Sequence, residues 1–117
     1  MSESGGAATL FERWVHEVWS GGPVPADLVA DDFVGHWPGR DIRGTAELAA
    51  IIEETRSAFE ELTFQIVLGP FTDGELMAGR WIGHGRHSSG EARFSGNDIL
   101  RIADGRIAEY WTGTSGG

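Results

Sequence analysis

The chain contains no cysteine. Disulfide frameworks, thiolate metal sites and cysteine nucleophiles are therefore excluded, and the composition is compatible with a reducing compartment. No apolar run approaches the roughly 20 residues that a membrane-spanning helix requires. Met1–Ala8 have neither the basic nor the apolar segment of a secretory signal. The expectation is a cytoplasmic protein with no membrane partner. Positive charge is scarce: nine Lys and Arg face eighteen Asp and Glu, for a net charge of -9. That sign repels a phosphate backbone, so nucleic acid is not an expected partner. Internal repeats and low-complexity linkers are absent, and Tyr110 is the only tyrosine.

What the chain does have is one domain's worth of residues, 117, with a 40% hydrophobic content typical of a soluble globular fold. Thr9-Leu10-Phe11-Glu12 reads as a capping box, and Phe11, Trp14, Val15, Val18 and Trp19 follow at helical spacing until Gly21-Gly22-Pro23. A short second helix is expected from Pro25 to Ala30, and a third from Thr45 to about Glu60 with Leu48, Ile51, Ile52, Thr55 and Phe59 buried. Beyond Leu62 the period becomes two. Strands are expected over Leu62–Leu68 (closed by Gly69-Pro70), Glu75–His87 (after an Asp73-Gly74 turn), Ala92–Ile102 and Arg106–Thr112, with a short strand near Phe33–Trp37. Asp104-Gly105 has the composition of a two-residue hairpin turn. Helices first and strands afterwards give an α+β class. The eighteen glycines, several inside strands (Gly79, Gly83, Gly85, Gly96), point to a curved sheet. The expected architecture is a cone-shaped, mostly antiparallel sheet wrapped around three N-terminal helices, with an internal pocket. The domain is expected over 9–112, with disordered tails at 1–8 and 113–117.

One residue breaks the hydrophobic pattern. Phe94, Gly96, Leu100 and Ile102 share a strand face, and Asp98 lies on it too. A carboxylate there is costly unless it is paired or used. Surrounded by apolar side chains it loses hydration, its pKa rises, and it becomes an acid/base suited to neutral pH. The alternative is a rotated strand with Asn97, Ile99 and Arg101 inside, which would bury an arginine instead. His87 shares parity with Met77 and Trp81, which allows it either the concave face beside Asp98 or a surface position at the strand end. His36 fits either the cavity mouth or a structural loop. Trp37, Trp81, Trp14 and Phe94 are candidate walls for a flat ligand, though aromatic residues at helical spacing also build cores. Glu109, with the parity of Ile107 and Trp111, is either a second pocket carboxylate or the partner of an outer-face arginine. His84 and His87, three apart on a strand, point to opposite faces, and no metal-binding His motif occurs.

On these residues the chain resembles the SnoaL-like polyketide cyclases of the nuclear-transport-factor-2-like superfamily. The pattern G-x-D-I-x-R-x-x-D-G-R-I-x-E-x-W is filled by Gly96, Asp98, Ile99, Arg101, Asp104, Gly105, Arg106, Ile107, Glu109 and Trp111. Weaker echoes are Asp31–His36 and the set Arg80, Trp81, Gly85 and His87. The resemblance implies an α+β cone, a homodimer through the outer sheet face, an apolar cavity, Asp98 as general acid/base and His87 as its assistant. The hairpin Ser88-Ser89-Gly90 is shorter than the family's usual loop, and the chain stops soon after Trp111. Both departures would widen the pocket mouth or remove a substrate contact, which puts a large tetracyclic substrate in doubt.

The expected activity is a cyclase or isomerase needing no cofactor or metal and acting on a hydrophobic, carbonyl-activated small molecule. Asp98 and His87 are the catalytic pair, and Trp37, Trp81, His36, Trp14 and Phe94 the substrate contacts. Two alternatives stand beside it: a non-catalytic binding or assembly module, and a ketosteroid-isomerase-like double-bond isomerase. The last wants an inward oxyanion donor, and Tyr110 has parity opposite to Trp111.

Overall fold

Apolar residues at helical spacing open the chain and alternating residues close it, and the molecule follows that order. The computed structural model describes residues 6–116. Helix α1 (Gly6–Glu12) runs directly into a π-helical segment (Arg13–Val18). Then come β1 (Val29–Trp37), β2 (Arg40–Arg43), α2 (Gly44–Ser57), β3 (Glu61–Asp73), β4 (Leu76–His87), β5 (Gly90–Ala103) and β6 (Arg106–Gly116). The six strands form one mixed, curved sheet in the order β2-β1-β6-β5-β4-β3, left open between its two edge strands. Only β1 and β6 pair in parallel. The helical segments pack on the concave face, where Phe11, Trp14, Val18, Phe33, Leu48, Ile52, Leu100 and Ile107 join one core.

The α+β class is as expected, with two helical stretches where three were anticipated. The segment after Pro25 makes a single turn, with the Leu28 and Val29 amides both donating to the Pro25 carbonyl at 3.1 Å. So short a segment is a poor helix nucleus, and burial of Leu28 and Val29 draws the chain into β1 instead. Thr9 lies inside α1 and does not cap it. The helix begins within the stretch expected to be a tail, whose residues 1–5 lie outside the described residues. At the other end β6 pairs with β5 as far as Gly116.

Gly69-Pro70 does not end β3. Register shifts between Ile66 and Leu68 and between Leu68 and Phe71 absorb the pair, and the strand continues to Asp73. The turn before β4 falls on Gly74-Glu75, one residue later than expected, and Gly74 takes φ 62°. Asp104 and Gly105 adopt φ 53° and 77°, the doubly left-handed turn their composition suggested. No helix among the described residues is long and apolar enough to cross a membrane.

Strand glycines receive aromatic rings. Trp81 on β4 lies over its cross-strand partner Gly96, Phe94 on β5 over Gly83, Phe59 over Gly85, and Phe11 over Gly79. A Cβ at any of the four would overlap a ring. The missing side chains let bulky rings approach the sheet's inner surface closely.

Candidate active site

Alternation along β5 buries Gly96, Asp98 and Leu100 and leaves Ile99 41% exposed. Asp98 is therefore on the concave face, 2% exposed, and is the one buried charged residue among those described. Its cross-strand neighbours are Gly79 on β4 and Thr112 on β6.

Three neutral donors hold the carboxyl. Tyr110 donates its hydroxyl to Oδ1 at 3.0 Å, Thr112 its hydroxyl to Oδ1 at 3.1 Å, and Trp14 its indole N–H to Oδ2 at 3.1 Å. Burial pushes the carboxyl above the usual carboxylate range, against the opposing pull of Trp81, Trp14, Tyr110 and Thr112. Trp81 exerts that pull without a hydrogen bond of standard geometry. Burial, then the Asp98 charge, carries the Tyr110 phenol well above its ordinary value, so it stays a neutral donor. A carboxylate has about four lone-pair positions, and three are taken here. Oδ1 accepts from two of these donors and Oδ2 from one.

The carboxyl faces a cavity of about 190 Å³. Its aromatic walls touch in sequence: Tyr110 and Trp37 with centroids 5.0 Å apart, Trp37 and Trp19 at 6.4 Å, Trp19 and Phe64 at 6.4 Å, Phe64 and Trp81 at 5.3 Å, Trp81 and Phe94 at 5.8 Å. Val15, Thr55, Thr112 and Thr114 complete the lining. The π-helical segment supplies Val15 to the wall while burying Trp14 under Asp98. Wide turns of this kind recur at functional sites.

Asp98, Trp37, Trp81 and Phe94 line this one cavity. Trp14 is present as support for the carboxyl, not as wall. His87 is not part of the cavity. It pairs with Gly90 beside the hairpin turn, eight residues along β4 from Gly79 (87 − 79), and Gly79 is the residue opposite Asp98. That is on the order of 25 Å of strand. Its ring sits against Phe59 and its Nδ1 lies 2.8 Å from the Ser89 hydroxyl. Parity assigned the face correctly and said nothing about distance along it.

His36 is likewise outside the cavity, on the opposite face of β1 from Phe33, Gly35 and Trp37. Its Nε2 lies 2.6 Å from Glu109 and its Nδ1 3.0 Å from Asp41, while Trp111 stacks on its ring. Arg101 donates to Glu109 at 3.0 Å, so Glu109 is the outer-face ion-pair partner and not a second pocket acid.

Tyr110, Thr112 and Trp19 were missed as site residues. The reason for Tyr110 is a bulge. Ile102 pairs with Ile107 and Arg101 with Glu109, which leaves Ala108 as an extra residue in β6. Parity reverses across it: Ile107 is inward, then Tyr110 and Thr112, while Glu109 and Trp111 turn outward. The period-two run Tyr110, Thr112, Thr114 was the available signal. Trp19 signalled itself by lying four residues after the wall residue Val15.

Residues 11–110 match the model of the SnoaL-like domain. The chain belongs to the SnoaL-like family. It shares the nuclear-transport-factor-2-like fold with solved structures of low identity. A provisionally assigned polyketide cyclase from Acidithiobacillus ferrooxidans is 23% identical with a TM-score of 0.77, covering 98% of this chain and 92% of that one. A provisionally assigned SnoaL-like polyketide cyclase from Jannaschia sp. CCS1 is 14% identical with a TM-score of 0.80, at 94% and 85% coverage. TsrD from Streptomyces laurentii is 21% identical with a TM-score of 0.79, at 94% and 88% coverage. At these identities the likeness is one of fold. No curated protein matches this chain.

Proposed function

We propose that this SnoaL-like protein is a cyclase or isomerase that moves a proton at a carbon next to a carbonyl, with Asp98 as its acid/base. The observation that carries the reading is a buried carboxyl, held only by neutral donors, facing an aromatic cavity. The chain has neither cysteine nor lysine, which removes thiolate and imine chemistry from consideration.

Ionised Asp98 takes the proton through Oδ2. The C–H bond breaks and its electron pair delocalises onto the substrate carbonyl, giving an enolate. The now neutral acid returns the proton, either to the γ-carbon of a β,γ-unsaturated substrate, which migrates the double bond, or to the alkoxide formed when the enolate carbon adds to a second carbonyl of the same molecule and breaks its C=O π bond to close a ring. Tyr110 and Thr112 on Oδ1 keep the carboxyl oriented throughout, the assisting role once expected of His87.

The test needs no knowledge of the natural substrate: exchange of α-hydrogens with deuterated solvent, followed by NMR over a panel of neutral cyclic ketones. Wild type should accelerate exchange. Asp98→Asn should lose about 10²–10⁴-fold of that acceleration while remaining folded. Equal exchange rates for the two proteins would reject the reading.

A second reading, double-bond isomerisation of the ketosteroid-isomerase kind, is favoured by the one phenol of the chain lining the cavity; it requires Tyr110 to turn its single proton from Asp98 Oδ1 to the substrate oxygen once Asp98 is protonated. We also propose the homodimer expected through the outer sheet face. Leu68 (55% exposed), Phe71 (60%) and Ile99 (41%) place exposed apolar side chains on that face. Sedimentation velocity of wild type against Phe71→Asp would test it, and unchanged mass would reject this surface.

A further inference from the structure

The same cavity restricts what can enter it, and this inference rests on its being the substrate site. We infer that the ligand is a compact ring compound of one or two fused rings that carries no negative charge in the part held against Asp98. Three observations carry it.

The first is charge. Among the described residues, no arginine or histidine lines the cavity, and its only ionisable groups are Asp98 and Tyr110. Arg56, the neighbour in sequence of the lining residue Thr55, donates to the Trp19 backbone carbonyl at 2.9 Å. A carboxylate or phosphate inside would lie unpaired beside a carboxyl in a water-poor space, an arrangement with a large desolvation penalty.

The second is size. A cavity of about 150 Å³ accommodates a benzene, and drug-sized ligands occupy roughly 300 Å³ or more. The 190 Å³ here lies between.

The third is that two walls have no room to retreat. Trp81 already rests on Gly96 and Phe94 on Gly83, ring against backbone. A larger ligand cannot push these rings further into the sheet. The hydroxyls of Thr112 and Thr114, 3.4 Å apart on β6 beside Asp98, give a carbonyl-bearing ligand one polar side to face.

Calorimetric titration of the wild-type protein at neutral pH with three probes tests this: β-tetralone (two rings, uncharged), β-naphthoate (two rings, anionic) and progesterone (four rings, uncharged). β-Tetralone should bind at least about tenfold more tightly than either of the others. Trp81→Ala, which removes one unyielding wall, should narrow the gap to progesterone and leave the gap to naphthoate. Naphthoate or progesterone binding within about tenfold of β-tetralone, or no β-tetralone binding, would overturn the inference. Failure of the acid/base reading looks different: selective binding persists, but α-hydrogen exchange in bound β-tetralone is the same in wild type and Asp98→Asn.

Discussion

Tyr110 reaches across from β6 to donate a 3.0 Å hydrogen bond to Asp98 on β5, and both groups are almost wholly shielded from water. The phenol stabilises the ionised carboxyl, while burial and that same carboxyl keep the phenol protonated. Each therefore biases the protonation state of the other. The acid remains able to titrate while its neighbour remains a donor.

Tyr110→Phe removes one of the two donors on Oδ1 and leaves the ring. The Asp98 pKa should rise further, since the lost bond favoured the ionised form. The ascending limb of the pH profile for base-catalysed exchange should move to higher pH, and folding stability should fall by about 1–3 kcal/mol. An unmoved limb would show that Tyr110 does not tune the acid.

Because the Asp98 pKa is raised on folding, the native state holds a proton that the unfolded chain has already released. Stability should therefore fall as pH rises from the unfolded value, about 3.9, to the raised folded value, and level off above it. Asp98→Asn should lack that slope. Urea denaturation of both proteins across this range checks the sign, and parallel curves would contradict it.

Gly96→Ala places a methyl group against the Trp81 ring, which cannot move deeper. The ring must shift into the cavity or the strands must part, at a cost of about 1–3 kcal/mol. Thermal unfolding should register the loss, and β-tetralone should bind more weakly. A neutral substitution would mean that this pair does not set the wall.

On the outer face His36 sits between Glu109 and Asp41. Hydrogen bonding to Glu109, then to Asp41, raises the histidine pKa, and His36 in turn lowers that of Glu109. The histidine contribution is complete below its unfolded value of about 6.5 and disappears as pH rises through the folded one. The Glu109 contribution is present above its unfolded value of about 4.3 and disappears as pH falls through its lowered one. His36→Gln should thus cost most between these limits and little in alkali. With both partners part-exposed the loss should stay under about 1 kcal/mol. Chemical denaturation at three pH values would reveal the window.

Much of this molecule was legible from its patterning. The α+β order, the Asp104-Gly105 turn and the inward face of β5 follow from spacing, and Asp98 stood out because an acid broke an apolar face. What escaped was anything set by strand pairing. Ala108 has no compositional mark that makes it a bulge, so strict alternation gives Tyr110 the parity opposite to Trp111 and leaves the face of Glu109 open. His87 shared a face with the cavity but lay far along the strand. The π-helical turn that serves both Trp14 and Val15 has the same apolar spacing as an ordinary helix, so periodicity could not separate the two.

The extra residue at Ala108 has a wider consequence. Removing it would rotate the rest of the last strand by half a pleat, turning an acid and an indole toward the ligand and a phenol and two hydroxyls toward water. The scaffold could stay recognisable while the reagents inside it were exchanged wholesale. In such a design a single-codon insertion or deletion is a larger chemical event than most substitutions.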